Sequence, residues 1–210
     1  MLLKKYSIIF VHQRKCAGSA IKFALSELGQ INSVLQDGLC DKDWKTYQSH
    51  LNRYFKFCVI RNPWDRFVSS WKYLTAYQDL DVRSILEKLP EKKAKSSQER
   101  HDYRHLSQLQ SDLIFDQSER CVLDKTIRFE NLDNGFSKML TERGLPPLRL
   151  KIENRTVKPD IDYRDIFEGR ECRELFASKF ARDISLLGYR FEDGPGKNPG
   201  ESNGSAQRHR

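Results

Sequence analysis

Two short stretches of this 210-residue chain carry side chains suited to gripping anions. The first is His12-Gln13-Arg14-Lys15-Cys16-Ala17-Gly18-Ser19-Ala20, in which two cations precede a run of small residues and a hydroxyl. Small residues let backbone N–H groups approach a ligand closely, and a helix beginning there adds positive potential. Those are the parts of a phosphate cradle. The order differs from an ATP-type P-loop, in which Lys follows the second Gly and precedes Ser or Thr; here Lys15 comes before Gly18. Alone, the loop reads equally well as a tight turn with exposed cations. The second stretch runs from Arg61 to Ser69. An Arg leaving a strand can bind phosphate through two N–H groups, and a Ser about two turns into the following helix adds a donor. Alone, this too has a plain explanation: Arg61 pairs with Asp65 and Ser69 is a small helix residue. Together, two anion sites at one sheet edge suit a ligand with two separated anionic groups.

The elements that must hold these residues follow from the apolar pattern. Tyr6–Val11 (YSIIFV) is an apolar run of strand length, and Ile21, Ala24, Leu25 and Leu28 then repeat at helical spacing before Gly29. Residues 41–53 place Trp44, Tyr47 and Leu51 at helical spacing. Tyr54–Arg61 reads as a second strand. A helix follows, with Asn62 as its N-cap, Pro63 in its first position and Asp65 in its first turn. Phe67, Trp71 and Leu74 supply its apolar stripe, while Arg66, Ser69 and Tyr73 occupy another face. Residues 90–105 are charged and poor in apolar side chains, so an exposed loop or lid is expected, leading to a short helix through Leu106, Leu109 and Leu113. A third strand, Lys125–Phe129, precedes a helix with Leu132, Phe136, Met139 and Leu140. Residues 148–169 look irregular, a single helix is expected over 170–187, and Tyr189–Phe191 reads as a final strand. Strands alternating with helices imply an α/β fold: one P-loop-like domain over residues 1–193, with a mainly parallel sheet flanked by helices. Residues 194–210 are without apolar content and read as a disordered tail.

Composition excludes several classes. Hydrophobic residues make up 38% of the chain, with 12 Phe, 8 Tyr and 3 Trp, which is enough for a packed core. No apolar run approaches the ~20 residues of a membrane span. The N-terminal run lacks the small-residue cleavage site of a signal peptide, so a first strand and a cytoplasmic protein are expected. Lys and Arg (37) exceed Asp and Glu (29), which favours anionic partners. The five cysteines are scattered, with no CxxC pair; this fits a reducing compartment and is neither a disulfide framework nor a zinc pattern.

The two anion stretches also resemble a known family. HQRKCAGSAIKFAL is similar to the 5′-phosphosulfate loop of sulfotransferases, and CVIRNPWDRFVSSW to their 3′-phosphate segment. The resemblance is to the carbohydrate-type branch, which includes heparan sulfate 2-O-sulfotransferases and bacterial relatives. IRFENL (Ile127–Leu132), Asn154 and FARDISLLGYRF extend it. It implies 3′-phosphoadenosine 5′-phosphosulfate as the sulfuryl donor and no metal. It implies that Lys15 contacts the 5′-phosphate and bridging oxygen. Arg14, the Cys16, Ala17, Gly18, Ser19 and Ala20 backbone and the Ser19 hydroxyl would hold the 5′-phosphosulfate, while Arg61 and Ser69 would hold the 3′-phosphate. The chain departs from the family at Arg14, where Pro is usual, at Cys16, where Thr is usual, and at Ala20, where Ser is usual.

Sulfuryl transfer is an in-line displacement analogous to phosphoryl transfer, and the acceptor hydroxyl needs a base. Of five histidines, His50 belongs to a peripheral polar segment, His209 to the tail, and His12 is read as orienting the first loop. In the heparan-type relatives a His in this region acts as base, and His105 is preferred because it borders the packed part of the chain. His101, Glu99, Asp102 and Glu130 are alternatives. Glu130 is read as supporting the site, by pairing with a nearby Arg or by capping the next helix, and Arg128 as a possible contact to donor or acceptor. The acceptor expected is a hydroxyl-bearing glycan or small molecule. Competing expectations are a kinase-like nucleotide-binding enzyme, a nucleic-acid binder suggested by charge alone, and a family member that binds the nucleotide without catalysis.

Overall fold

The computed structural model describes residues 1–30, 52–93, 96–151 and 162–194. Among these, four strands form one open sheet in the order β1-β2-β3-β4: β1 (Leu2–Leu3), β2 (Ile8–Val11), β3 (Phe55–Ile60) and β4 (Lys125–Arg128). β1 pairs antiparallel with β2, and the other pairings are parallel. Val11 lies opposite Cys58, and Ile60 opposite Arg128, so β2, β3 and β4 send their carboxyl ends to one edge. Ligands of open α/β sheets bind beyond that edge.

The helices are α1 (Gly18–Ser26), α2 (Pro63–Tyr73), α3 (Val82–Glu87), α4 (Ser97–Asp102), α5 (Leu132–Glu142), α6 (Tyr163–Ile166), α7 (Arg170–Lys179) and α8 (Ala181–Leu187). Alternation along the strands gives the sheet two buried faces. Ile8, Phe10, Phe57, Val59 and Ile127 pack with Ile21, Ala24 and Leu25 of α1 and with Phe136, Met139 and Leu140 of α5. Ile9, Val11, Cys58 and Ile60 pack with Trp64, Phe67 and Val68 of α2, with α3, and with Phe176, Phe180 and Leu187 from the C-terminal helices. Each fully buried large apolar side chain contributes about 1.5–3 kcal/mol, so burial on both faces fixes the sheet and the positions of its loops. Near-continuous apolar strands are what a parallel sheet covered on both sides requires.

Local signals account for the helix ends. The Asn62 side chain accepts from the N–H groups of Trp64 (3.1 Å) and Asp65 (3.5 Å), with Pro63 next to it. Ser96 and Glu99 form a capping box at α4. Gly188 takes φ 63° and ends α8.

The α/β class and mainly parallel sheet match expectation, and several boundaries differ. Lys4–Tyr6 is a 3-10 turn and Ser7 has φ 53°, so the first strand starts at Ile8, and Leu2–Leu3 adds an edge strand. The charged stretch expected as a loop is helical from Ser97, continuing through a π-helical turn at Tyr103–Ser107; Asp102, His105 and Leu106 are buried at helical spacing. The helix expected over 170–187 breaks at Phe180 (φ −111°, ψ 19°). The expected final strand is absent: Phe191–Asp193 is a 3-10 turn, and the Arg190 N–H is taken by the Asp193 carboxylate (2.8 Å), which removes a ladder donor. The helix expected over 41–53, His50, Asn154 and the tail beyond Gly194 fall wholly or mostly outside the described residues.

Candidate nucleotide-binding and transfer site

Beyond Val11 the chain turns sharply before α1. Lys15 (φ 62°) and Ala17 (φ 56°) adopt left-handed backbone, an unfavourable conformation for residues with a Cβ. Gly18 starts α1 beneath the His12 ring; a Cβ built there would lie 1.8 Å from His12 Cδ2 and Nε2. His12 therefore sets the turn, and burial, followed by the charge of Arg14, lowers its pKa to about 4, so it is neutral. α1 receives no side-chain cap. Its first helical bond runs from Ile21 N–H to Ala17 O (3.1 Å), and the amides of Gly18, Ser19 and Ala20 precede it. Ser19 is exposed on this first turn, and Ala20 is half-buried beside it. The Cys16 side chain is fully buried, and burial pushes its thiol up to about 12. The thiol points inward, donating to Gln110 Oε1 (3.5 Å) and to the Arg14 carbonyl (3.4 Å). Only the backbone of Cys16 is left to serve a ligand.

Arg61 follows β3 directly. Its Nη1 donates to the Lys15 carbonyl (3.0 Å), its Nε pairs with Asp65 (2.7 Å), and its guanidinium lies 4.1 Å from the centroid of the Phe129 ring. The Asp65 pair and a tie to the first loop therefore coexist. The Lys15 ammonium lies 4.3 Å from the Tyr73 ring centroid and makes no ion pair among the described residues. Burial and, after it, the charge of Arg61 lower its pKa. Ser69 is half-buried on α2.

The π-helical turn brings His105 against this group. Its ring stacks on Tyr73 (centroids 4.9 Å apart) and lies tilted against His101 (4.5 Å), and it is 5% exposed. Burial, followed by the charges of His101, Arg14, Lys15 and Arg66, lowers its pKa to about 3. Arg66 is itself buried and donates to the Gln108 carbonyl (2.6 Å), fastening α2 to the turn. An open cleft is walled by Tyr73, Thr75, Ala76, Gln98, His101 and Asp102. His101 Nδ1 lies 3.4 Å from Asp102 Oδ1. No group of three or more His, Cys, Asp or Glu gathers as a metal set among the described residues.

Glu130, expected to pair with an Arg or cap the next helix, instead accepts, among the described residues, from the Asn62 N–H (2.8 Å) and the Tyr189 hydroxyl (2.8 Å). Arg128 donates to the carbonyls of Leu187 and Gly188 and stacks on Tyr189, so it fastens the end of α8. Sequence reasoning gave no role to Gln13, Tyr73, Gln110 or Asp183. Gln110 and Asp183 carried a signal, since each is a polar residue on an otherwise apolar helical stripe: Leu106–Gln110–Leu113 and Phe180–Asp183–Leu187.

The Sulfotransferase family model matches residues 1–140, which include both anion loops, the His101–His105 turn and β4. The chain belongs to the sulfotransferase family. No curated protein and no solved structure matches it. No helix among the described residues is long and apolar enough to cross a membrane.

Proposed function

We propose that this sulfotransferase moves a sulfuryl group from 3′-phosphoadenosine 5′-phosphosulfate to a hydroxyl of a carbohydrate acceptor. One observation carries the reading: the Arg61 guanidinium bonds the Lys15 carbonyl at 3.0 Å, which brings the two anion loops together as a ligand with phosphates at both ends of its ribose requires. The uncapped amides of Gly18 to Ala20 and the exposed Ser19 suit the 5′-phosphosulfate, helped by Arg14 and Lys15. Arg61 and Ser69 take the 3′-phosphate. Lys15 stabilises the charge that grows on the departing bridging oxygen, a contribution of about 3–4 kcal/mol by analogy with an oxyanion donor. The acceptor hydroxyl enters by the cleft beside Tyr73, and His105, neutral at pH 7, removes its proton. A second reading gives that proton to His101, which lines the cleft and has Asp102 beside it, whereas His105 lies behind the wall. The catalytic unit is residues 1–193, acting in the cytoplasm, with 194–210 as a tail.

Calorimetry with adenosine 3′,5′-bisphosphate and with ATP-Mg tests the donor. Tighter binding of the bisphosphate is expected, and tighter ATP-Mg binding would reverse the assignment to a kinase-like enzyme. Transfer assays with radiolabelled donor across sugar acceptors then compare His105→Ala with His101→Ala: the variant that abolishes turnover identifies the base.

A further inference from the structure

Between the two loops lies a side chain that neither anion motif includes. Gln110 is fully buried. Its Oε1 accepts from the Arg61 N–H (2.9 Å) and the Cys16 thiol (3.5 Å), while its Nε2 donates to the Arg61 carbonyl (2.8 Å). Its main-chain carbonyl accepts from Gln13 Nε2 (3.1 Å). One residue thus engages both main-chain groups of Arg61, just where the β3–β4 pairing has stopped at Ile60 and Arg128, and also both ends of the Gln13–Cys16 segment. Its amide stands in for the peptide group of a missing strand.

Gln110 is itself anchored. Asp183 of α8, also fully buried, accepts from the Gln110 N–H (2.9 Å) and the Ser111 N–H (2.8 Å). Burying a carboxylate is costly unless it is fully engaged. Here both its oxygens are used to hold a stretch of main chain whose side chain reaches the nucleotide loops.

We propose that Gln110, braced by Asp183, is a positioning residue that sets the spacing between the Lys15 loop and Arg61, so that both ends of one adenosine bisphosphate are gripped at once. This rests on the donor reading above. Two contacts held at a fixed separation make the second contact intramolecular, so a two-ended ligand gains far more than either half. If the separation loosens, each half still finds its own contacts and the two-ended advantage falls.

Full-length wild type, Gln110→Met and Asp183→Asn are compared by displacement of a fluorescent adenosine 3′,5′-bisphosphate, using three probes read to millimolar concentration: adenosine 3′,5′-bisphosphate, adenosine 5′-monophosphate and adenosine 3′-monophosphate. The Met substitution keeps the volume of Gln and removes its amide. Asp183→Asn keeps the shape of the side chain and removes the charge from the opposite side, and melting temperatures identify whichever variants fold. Bisphosphate affinity should fall by about tenfold or more in Gln110→Met while either monophosphate changes by less than about twofold, and Asp183→Asn should shift the same ratio less. A purely structural role would lower the melting temperature and leave the ratio unmoved. Equal weakening of all three probes, or no change in any, overturns the positioning role while leaving the donor assignment standing. Wild type that ignores the bisphosphate overturns both.

Discussion

The two helices that enter the site begin in opposite ways. α2 is finished within the chain: Asn62 caps two amides, Pro63 has none to cap, and Glu130 takes the Asn62 N–H. α1 is unfinished. It has no side-chain cap, its approach passes through left-handed backbone at Lys15 and Ala17, and Gly18 is pinned under His12. A helix whose first amides are satisfied has only side chains to offer a ligand, whereas one whose amides are unsatisfied offers main chain. Under the proposed function the contrast divides the work: Arg61 and Ser69 would act at α2 through their side chains, and residues 16–20 would act at α1 mainly through backbone, with Lys15 as the side chain engaged in the chemistry.

The strongest challenge to this division is Lys15→Ala. Turnover should fall about 10²–10³-fold in a radiolabelled transfer assay, with the circular dichroism spectrum unchanged; retained turnover would remove Lys15 from the reaction. Next is the pair Arg61→Ala and Ser19→Ala. The first should weaken adenosine bisphosphate binding by roughly 1.5–3 kcal/mol, the worth of a charge-assisted contact, and the second by less, because neighbouring amides remain. Equal losses in calorimetry would erase the distinction between side-chain and main-chain grip. Gly18→Ala should cost about 1–3 kcal/mol of stability as an overpacked contact, and His12→Ala in the same chain should restore part of it. Denaturant melts showing no recovery in the double variant would mean that something other than the His12 ring holds the turn.

The last effect is in acid. His12 and His105 have folded-state pKa values of about 4 and about 3, below the ordinary 6.5. Between these values the unfolded chain binds more protons than the folded one, so stability is lost as pH falls from about 6.5 toward 3. Melting temperatures should decline gradually over that window, and His105→Asn should flatten the slope. An unaltered slope would place the proton uptake elsewhere.

How much of this was legible in the sequence depended on how far apart the interacting residues lie. The start of α2 could be read from a few neighbouring residues, because Asn62, Pro63 and Asp65 act within one turn. The α/β alternation was equally plain from strand-length apolar runs. The helical nature of 97–107 was hidden by its charge, since only Asp102, His105 and Leu106 turn inward. His105 consequently looked like a loop residue at the border of the packed region and proves to be buried within it. The Gln110 network showed locally only as a polar residue on an apolar stripe, and its pairings were hidden because its partners lie 49, 73, 94 and 97 positions away. Two-residue β1 was invisible for another reason: without its pairing to Ile8 and Ile9, Leu2–Leu3 is only a short apolar dipeptide.

The Asp183 carboxylate has a consequence for the order in which the molecule can be made. Lys15 and Arg61 leave the ribosome early, and the family match is complete by residue 140, yet the amides of Gln110 and Ser111 gain their anchor only when residue 183 has emerged. A growing chain therefore possesses the residues proposed for the chemistry long before it possesses the brace behind them, and the last helix among the described residues closes a frame whose earlier parts were laid down first.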